Sequence, residues 1–195
     1  GVSAQKEIAD HVVRLHIVAN SDSAEDQTLK LQVRDAILEH MKARYPGGAT
    51  RDEAAQYLKT SIPDIKKIAA GVLQKSGSDD AVAVQFGVFP FPTKEYENLV
   101  LPAGMYEALR VELGEAEGRN WWCVMFPPLC VADAESLRMD EEAMNQLKSE
   151  IGAAQYSLIT DVTDRSNVPV KIRFRIIEMV QNSKIKLADM IGRLF

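Results

Sequence analysis

The chain has 195 residues, of which 46% are hydrophobic and 26% charged, the composition of an ordinary globular protein rather than a disordered one. Lys and Arg number 23 against 28 Asp and Glu, a formal charge of −5, and no Lys/Arg block stands out, which argues against a nucleic-acid grip. The longest apolar runs fall well short of the ~20 residues that span a bilayer.

In chain order, residues 1–11 read as a short helix or a frayed end. Val13, Leu15 and Ile17 then alternate with Arg14, His16 and Val18, the period of a strand with one better-buried face. Asn20-Ser21-Asp22 stops that strand with turn chemistry. Ser23 to Asp26 is a capping-box-like start, and Leu29, Val33, Ile37 and Met41 form the stripe of a helix that ends at Pro46-Gly47-Gly48. Thr50 to Glu53 is a second capping box, opening a helix through about Thr60; Pro63 begins the next helix, to about Lys75.

The middle of the chain reads as β structure. Val82, Val84, Phe86 and Val88 alternate, while Phe89-Pro90-Phe91-Pro92 cannot be a central strand, because neither proline can donate to a ladder. Leu99-Val100-Leu101 is a short extended piece. A strand over 105–113 and another over 121–126 are separated by a Gly114–Gly118 loop, and the short connection predicts that the two pair as an antiparallel hairpin. Asp140 caps a helix from Glu141 to about Ala154, and 155–169 look irregular. From Pro169 onward KIRFRIIE alternates like a strand, yet Ile172, Ile176, Met179, Val180, Leu187, Met190 and Leu194 also fit a helical face, and the length and the Pro169 start favour a helix through about Arg193. The expected fold is α+β, an antiparallel β-sheet covered by helices with a C-terminal helix. It is expected as a single domain, with a core at 12–133 and a helical C-terminal extension at 134–195.

Little in the chain points to catalysis. His16 near Ser21, Asp22 and Cys123 invites a triad reading, but Gly-x-Ser-x-Gly is absent and a histidine on a strand is more often structural. Glu112, Glu115 and Glu117 straddle the expected hairpin, where solvated acids are the normal finding. There is no phosphate-binding glycine loop and no HExxH, so no cofactor is expected. Two thiols cannot complete a structural zinc site, and His11, His16 and His40 lack finger-like spacing, so no metal is expected either.

The most unusual stretch is Asn120-Trp121-Trp122-Cys123 through Pro127-Pro128-Leu129-Cys130. Alternation puts Trp121, Cys123 and Met125 on one face and Trp122, Val124 and Phe126 on the other. Both faces are apolar, one suited to the core and the other to a helix or a partner. A Cys123–Cys130 disulfide requires the intervening chain to reverse, and Pro127-Pro128 is placed to break the strand there. The alternative is two reduced thiols buried as small apolar groups.

Several segments together resemble a known family. They are Arg14-Leu-His-Ile-Val-Ala-Asn-Ser-Asp22; Gln27-x-Leu-Lys-Leu-x-Val-Arg-Asp35; Phe89-Pro-Phe-Pro-Thr-Lys94 with Tyr96; Leu101-Pro-Ala-Gly104 with Tyr106-Glu-Ala-Leu-Arg110; and Gly118-x-Asn-Trp-Trp-Cys-Val-x-Phe-Pro-Pro-Leu-Cys130. The sequence resembles stage II sporulation protein R of endospore-forming bacteria from about Val13 to Asp133. The family normally begins with an apolar export segment, which does not appear in these residues.

The resemblance implies a signalling protein, not an enzyme, secreted from the forespore into the intermembrane space. Its implied partner is a membrane-embedded aspartic protease of the mother cell, which processes the precursor of sigma factor E. No nucleic acid or small-molecule substrate is expected. Asn20, Asp22, Arg34, Arg110, Asn120, Trp121 and Trp122 lie inside the family-like segments and are the expected partner-binding residues. Arg34 and Asp35 are expected in a polar network beside Asn20 and Asp22, with plain solvent exposure as the alternative. In the exported protein Cys123 and Cys130 are expected as a disulfide. The rival class is a hydrolase of the same space acting on cell wall, with His16, Asp22 and Glu112 in a cleft.

Overall fold

The computed structural model describes residues 2–44, 50–130, 139 and 141–161. They divide into two compact units, one from residues 12–44, 50–87 and 107–130, the other from 2–11, 88–106, 139 and 141–161.

The first unit holds the sheet except at 88–91 and 104–106, the ends of two of its strands, which belong to the second. Its strands are β1 (Val13–Val18), β2 (Val82–Phe91), β5 (Gly104–Leu113) and β6 (Asn120–Phe126), in the order β2-β5-β1-β6. Three helices belong to the same unit: α2 (Ala24–Arg44), α3 (Arg51–Thr60) and α4 (Ile62–Lys75). Their apolar stripes, among them Val33, Ile37, Leu58, Ile65 and Leu73, close over Leu15, Ile17, Leu109, Val111, Cys123 and Met125 to form one core. Helix α3 starts where its sequence says: Thr50 accepts from Glu53 N, and Glu53 accepts from Thr50 N.

The class is α+β, as expected, but the expected hairpin is not there. Strand β1 lies between β5 and β6, parallel to β5 with Leu15 opposite Leu109, and antiparallel to β6 with Leu15 opposite Cys123. The connection 114–119 therefore passes the end of β1 instead of turning back on a neighbour. Glu117 N and Gly118 N donate to Asn20 O and Ala19 O at 3.2 and 2.9 Å. All six residues of β1 are buried, so the expectation of one better-buried face gives way to a central strand covered on both. Its backbone is paired on both edges, which is how so fully buried a strand satisfies its N–H and C=O groups. Strand β2, which contains Pro90, sits at the sheet's edge, the position a proline tolerates. A register shift between Val13 and Arg14 sets Val13 opposite Phe126, and Phe126 joins the core with the Cys123 face.

The second unit contains α1 (Val2–His11), α5 (Glu141–Thr160) and the short pair β3 (Lys94–Glu95) and β4 (Val100–Leu101). Gln155 donates to Glu7 across α1 and α5 at 2.6 Å. Tyr106 packs edge-on against Phe91 and donates its hydroxyl to Pro102 O at 2.6 Å. Asn98 pairs with the Met139 backbone in both directions, at 3.0 and 2.9 Å. Helix α5 continues to Thr160 rather than stopping near Ala154, with a break at Gly152, whose φ is +79°. The helix expected from Pro169 to Arg193 lies outside the described residues. No described helix is long and apolar enough to cross a membrane.

Candidate functional site

The first group of residues forms a clamp at the end of β1. Asn20 accepts from Glu115 N at 2.9 Å through Oδ1 and donates to Asp26 at 2.9 Å through Nδ2. Ser21 donates its hydroxyl to the same Asp26 oxygen at 2.5 Å. Those two donors, Ser21 first, hold the Asp26 carboxyl below the usual carboxylate range. Asp22 accepts from Arg119 N at 2.8 Å, and Lys30, buried on α2, donates to Arg119 O at 3.0 Å. The 114–119 loop is thus tied to Asn20 at one end and to Asp22 and Lys30 at the other. Two glycines permit the approach. Gly114 has φ +56°, and a Cβ on Gly118 would overlap the Ser21 carbonyl.

A second group lies on the sheet face opposite the helical core. The register brings Arg110, His16 and Trp122 into one row across β5, β1 and β6, with Glu112, Val18 and Asn120 in the next. His16 stacks on Trp122, ring centres 5.1 Å apart and planes 14° from parallel. Burial, then the charges of Arg110 and Arg14, pull the His16 pKa down to about 3; a hydrogen bond with Asn120 opposes them and is outweighed. The imidazole is therefore neutral at neutral pH. Arg110 pairs with Glu112 two residues on, Nε to Oε1 2.7 Å.

Arg34 and Trp121 form the third group. Arg34 is only 3% exposed, lies over the Trp121 ring and pairs with Asp35. Arg34 is buried rather than plainly exposed, but the contacts that bury it are Asp35 and the Trp121 ring, while Asn20 and Asp22, beside which a shared network was expected, bond Asp26 and the 114–119 loop. Trp121 belongs to the face that packs on the core, and Trp122 to the face beyond it.

Cys123 and Cys130 form a disulfide with their Cα atoms 5.2 Å apart. A disulfide sulfur is not a nucleophilic thiolate. Cys123 also lies on the core face and His16 on the other, so the triad reading does not assemble. Of the residues of the rival hydrolase reading, Asp22 accepts from Arg119 N and Glu112 pairs with Arg110.

The seven expected partner-binding residues are therefore divided. Asn20 and Asp22 serve the clamp, Arg34 and Trp121 stack at the core side, and Arg110, Asn120 and Trp122 share the opposite face. The sequence reading passed over Lys30, Asp26 and Gly118, which complete the clamp. It also missed His16 as the link between Arg110 and Trp122. Period-two alternation does place Arg110 and Glu112 on one face, but which strand lies beside them is set by topology.

The fold and these groups define a disulfide-bonded α+β protein with a clamped loop and a polar, aromatic sheet face. The family model for stage II sporulation protein R matches residues 9–136. Stage II sporulation protein R of Bacillus subtilis (strain 168) is 44% identical over 126 residues, 65% of this chain and 56% of that protein. The chain belongs to the stage II sporulation protein R family. It spans little more than half the length of that curated relative. No solved structure matches it.

Proposed function

We propose that this protein is a signalling ligand of sporulation, exported from the forespore into the intermembrane space. There it activates the mother-cell membrane aspartic protease that processes the precursor of sigma factor E. The family match over residues 9–136 carries this reading. The Cys123–Cys130 disulfide supports it, because disulfides form and persist in oxidising spaces outside the cytoplasm.

In this reading the receptor meets the sheet face of Arg110, Asn120 and Trp122. Asn20 and Asp22 hold the neighbouring 114–119 loop in shape, and Arg34 holds Trp121. Tryptophan and arginine are the residue types on which binding energy concentrates. A ligand that prefers the receptor's active state raises that state's population without chemistry of its own. The test is direct binding of this chain to the protease's membrane domain in detergent or nanodiscs. Saturable binding, weakened by Trp122→Ala and Arg110→Ala in folded protein, is the expected result; no binding at protein concentrations of about 100 μM sinks the reading.

A further inference from the structure

The two cysteines have unequal surroundings. Cys123 is 1% exposed in the core, while Cys130 is only partly buried against the same core. Between them the chain folds back on β6, the strand at one edge of the sheet. Pro127 and Pro128 carry no N–H, so the returning segment has few donors of its own. Leu129 N shares itself between Val124 O at 3.2 Å and Pro127 O at 2.7 Å. Besides the burial of Pro127 and Leu129, the disulfide is a covalent tie that holds this segment against β6.

We propose that the disulfide is a redox latch on β6. With both thiols reduced, residues 127–130 leave Val124 while the rest of the sheet stays folded. Oxidation pins them back and fixes the strand that carries Asn120, Trp121 and Trp122. The latch closes by thiol–disulfide exchange with a disulfide-bearing oxidant. The Cys130 thiol, the more accessible, loses its proton to solvent and attacks one sulfur of the oxidant, releasing the other as a thiol. Cys123, as thiolate, then attacks the Cys130 sulfur and displaces the oxidant's second thiol. Two protons and two electrons pass from the cysteines to the oxidant. A chain reduced in the cell that makes it therefore acquires its finished β6 only in an oxidising space. The inference concerns this chain alone and stands or falls independently of the protease.

Hydrogen exchange on the oxidised and reduced protein tests the latch. On reduction the Leu129 amide is expected to exchange at least about tenfold faster, with the Leu15 and Ile17 amides unchanged. Equal Leu129 rates in the two forms would overturn the latch. Lost protection at Leu15 and Ile17 would overturn it as well, because the disulfide would then hold the whole unit. Glutathione disulfide tests the order of attack on two apolar single variants. Cys123→Ala, which leaves Cys130, is expected to form the mixed disulfide at least about tenfold faster than Cys130→Ala. Equal rates, or the reverse order, would contradict Cys130 as the first thiol.

Discussion

The guanidinium carbon of Arg34 lies 4.3 Å from the centre of the Trp121 ring, while its Nε and Nη2 meet Asp35 Oδ1 at 2.8 and 2.7 Å. One guanidinium thus meets both an aromatic ring and a carboxylate, a use of both properties that distinguish arginine from lysine. Because Arg34 is buried and Asp35 half-exposed, the ring contact outweighs the ion pair. Arg34→Ala is expected to lower stability by about 1–2 kcal/mol, through lost packing as well as lost charge. Arg34→Lys recovers only part of that, and Asp35→Ala costs about 0.5 kcal/mol or less. Urea titrations followed by tryptophan fluorescence rank the three; an Asp35 variant worse than the Arg34 variants contradicts the ranking.

The β1-end clamp predicts its own pattern of damage. Asn20→Ala removes the acceptor for Glu115 N and a donor to Asp26, and is expected to cost about 1–3 kcal/mol. Gly118→Ala puts a Cβ into the Ser21 carbonyl, a backbone atom that cannot swing aside. It should lower the thermal midpoint more than Gly71→Ala, where a Cβ meets nothing within 4 Å. Equal melting of the two glycine variants would show that the loop is not held as described.

His16 makes stability depend on pH. Its folded pKa, about 3, lies below the ordinary histidine value near 6.5, so the unfolded chain binds the proton more readily. The contribution of neutral His16 is therefore complete above pH ~6.5 and is lost progressively as pH falls toward ~3. Between pH 6.5 and 4.5 the loss approaches about 2–3 kcal/mol. Denaturant midpoints at the two pH values, compared with those of His16→Gln, measure it. The variant should show the smaller drop, and parallel curves would mean that His16 does not titrate in this way.

Much of this was readable in the chain before its structure. The alternation of Val13, Leu15 and Ile17 marked β1, the Thr50 and Glu53 pair marked the start of α3, and Pro127-Pro128 marked the reversal that lets Cys123 meet Cys130. The neighbours of each strand were not readable. A period of two says that Leu109 and Cys123 each lie on a strand, but a short loop between two strands did not reveal that β1 fills the space between them. That insertion creates the site: without β1 in the middle, His16 would not lie between Arg110 and Trp122. The roles of Lys30 and Gly118 depend on the same passage of the loop past β1, so no local pattern announced them.

Under the proposed function, this chain activates the protease by binding it. Cleavage of the sigma factor E precursor by the membrane protease, measured with and without this chain, tests that most directly. Cleavage is expected when the chain is added, cut at least about tenfold by Arg110→Ala or Trp122→Ala in folded protein. Cleavage that proceeds equally with and without the chain would contradict it.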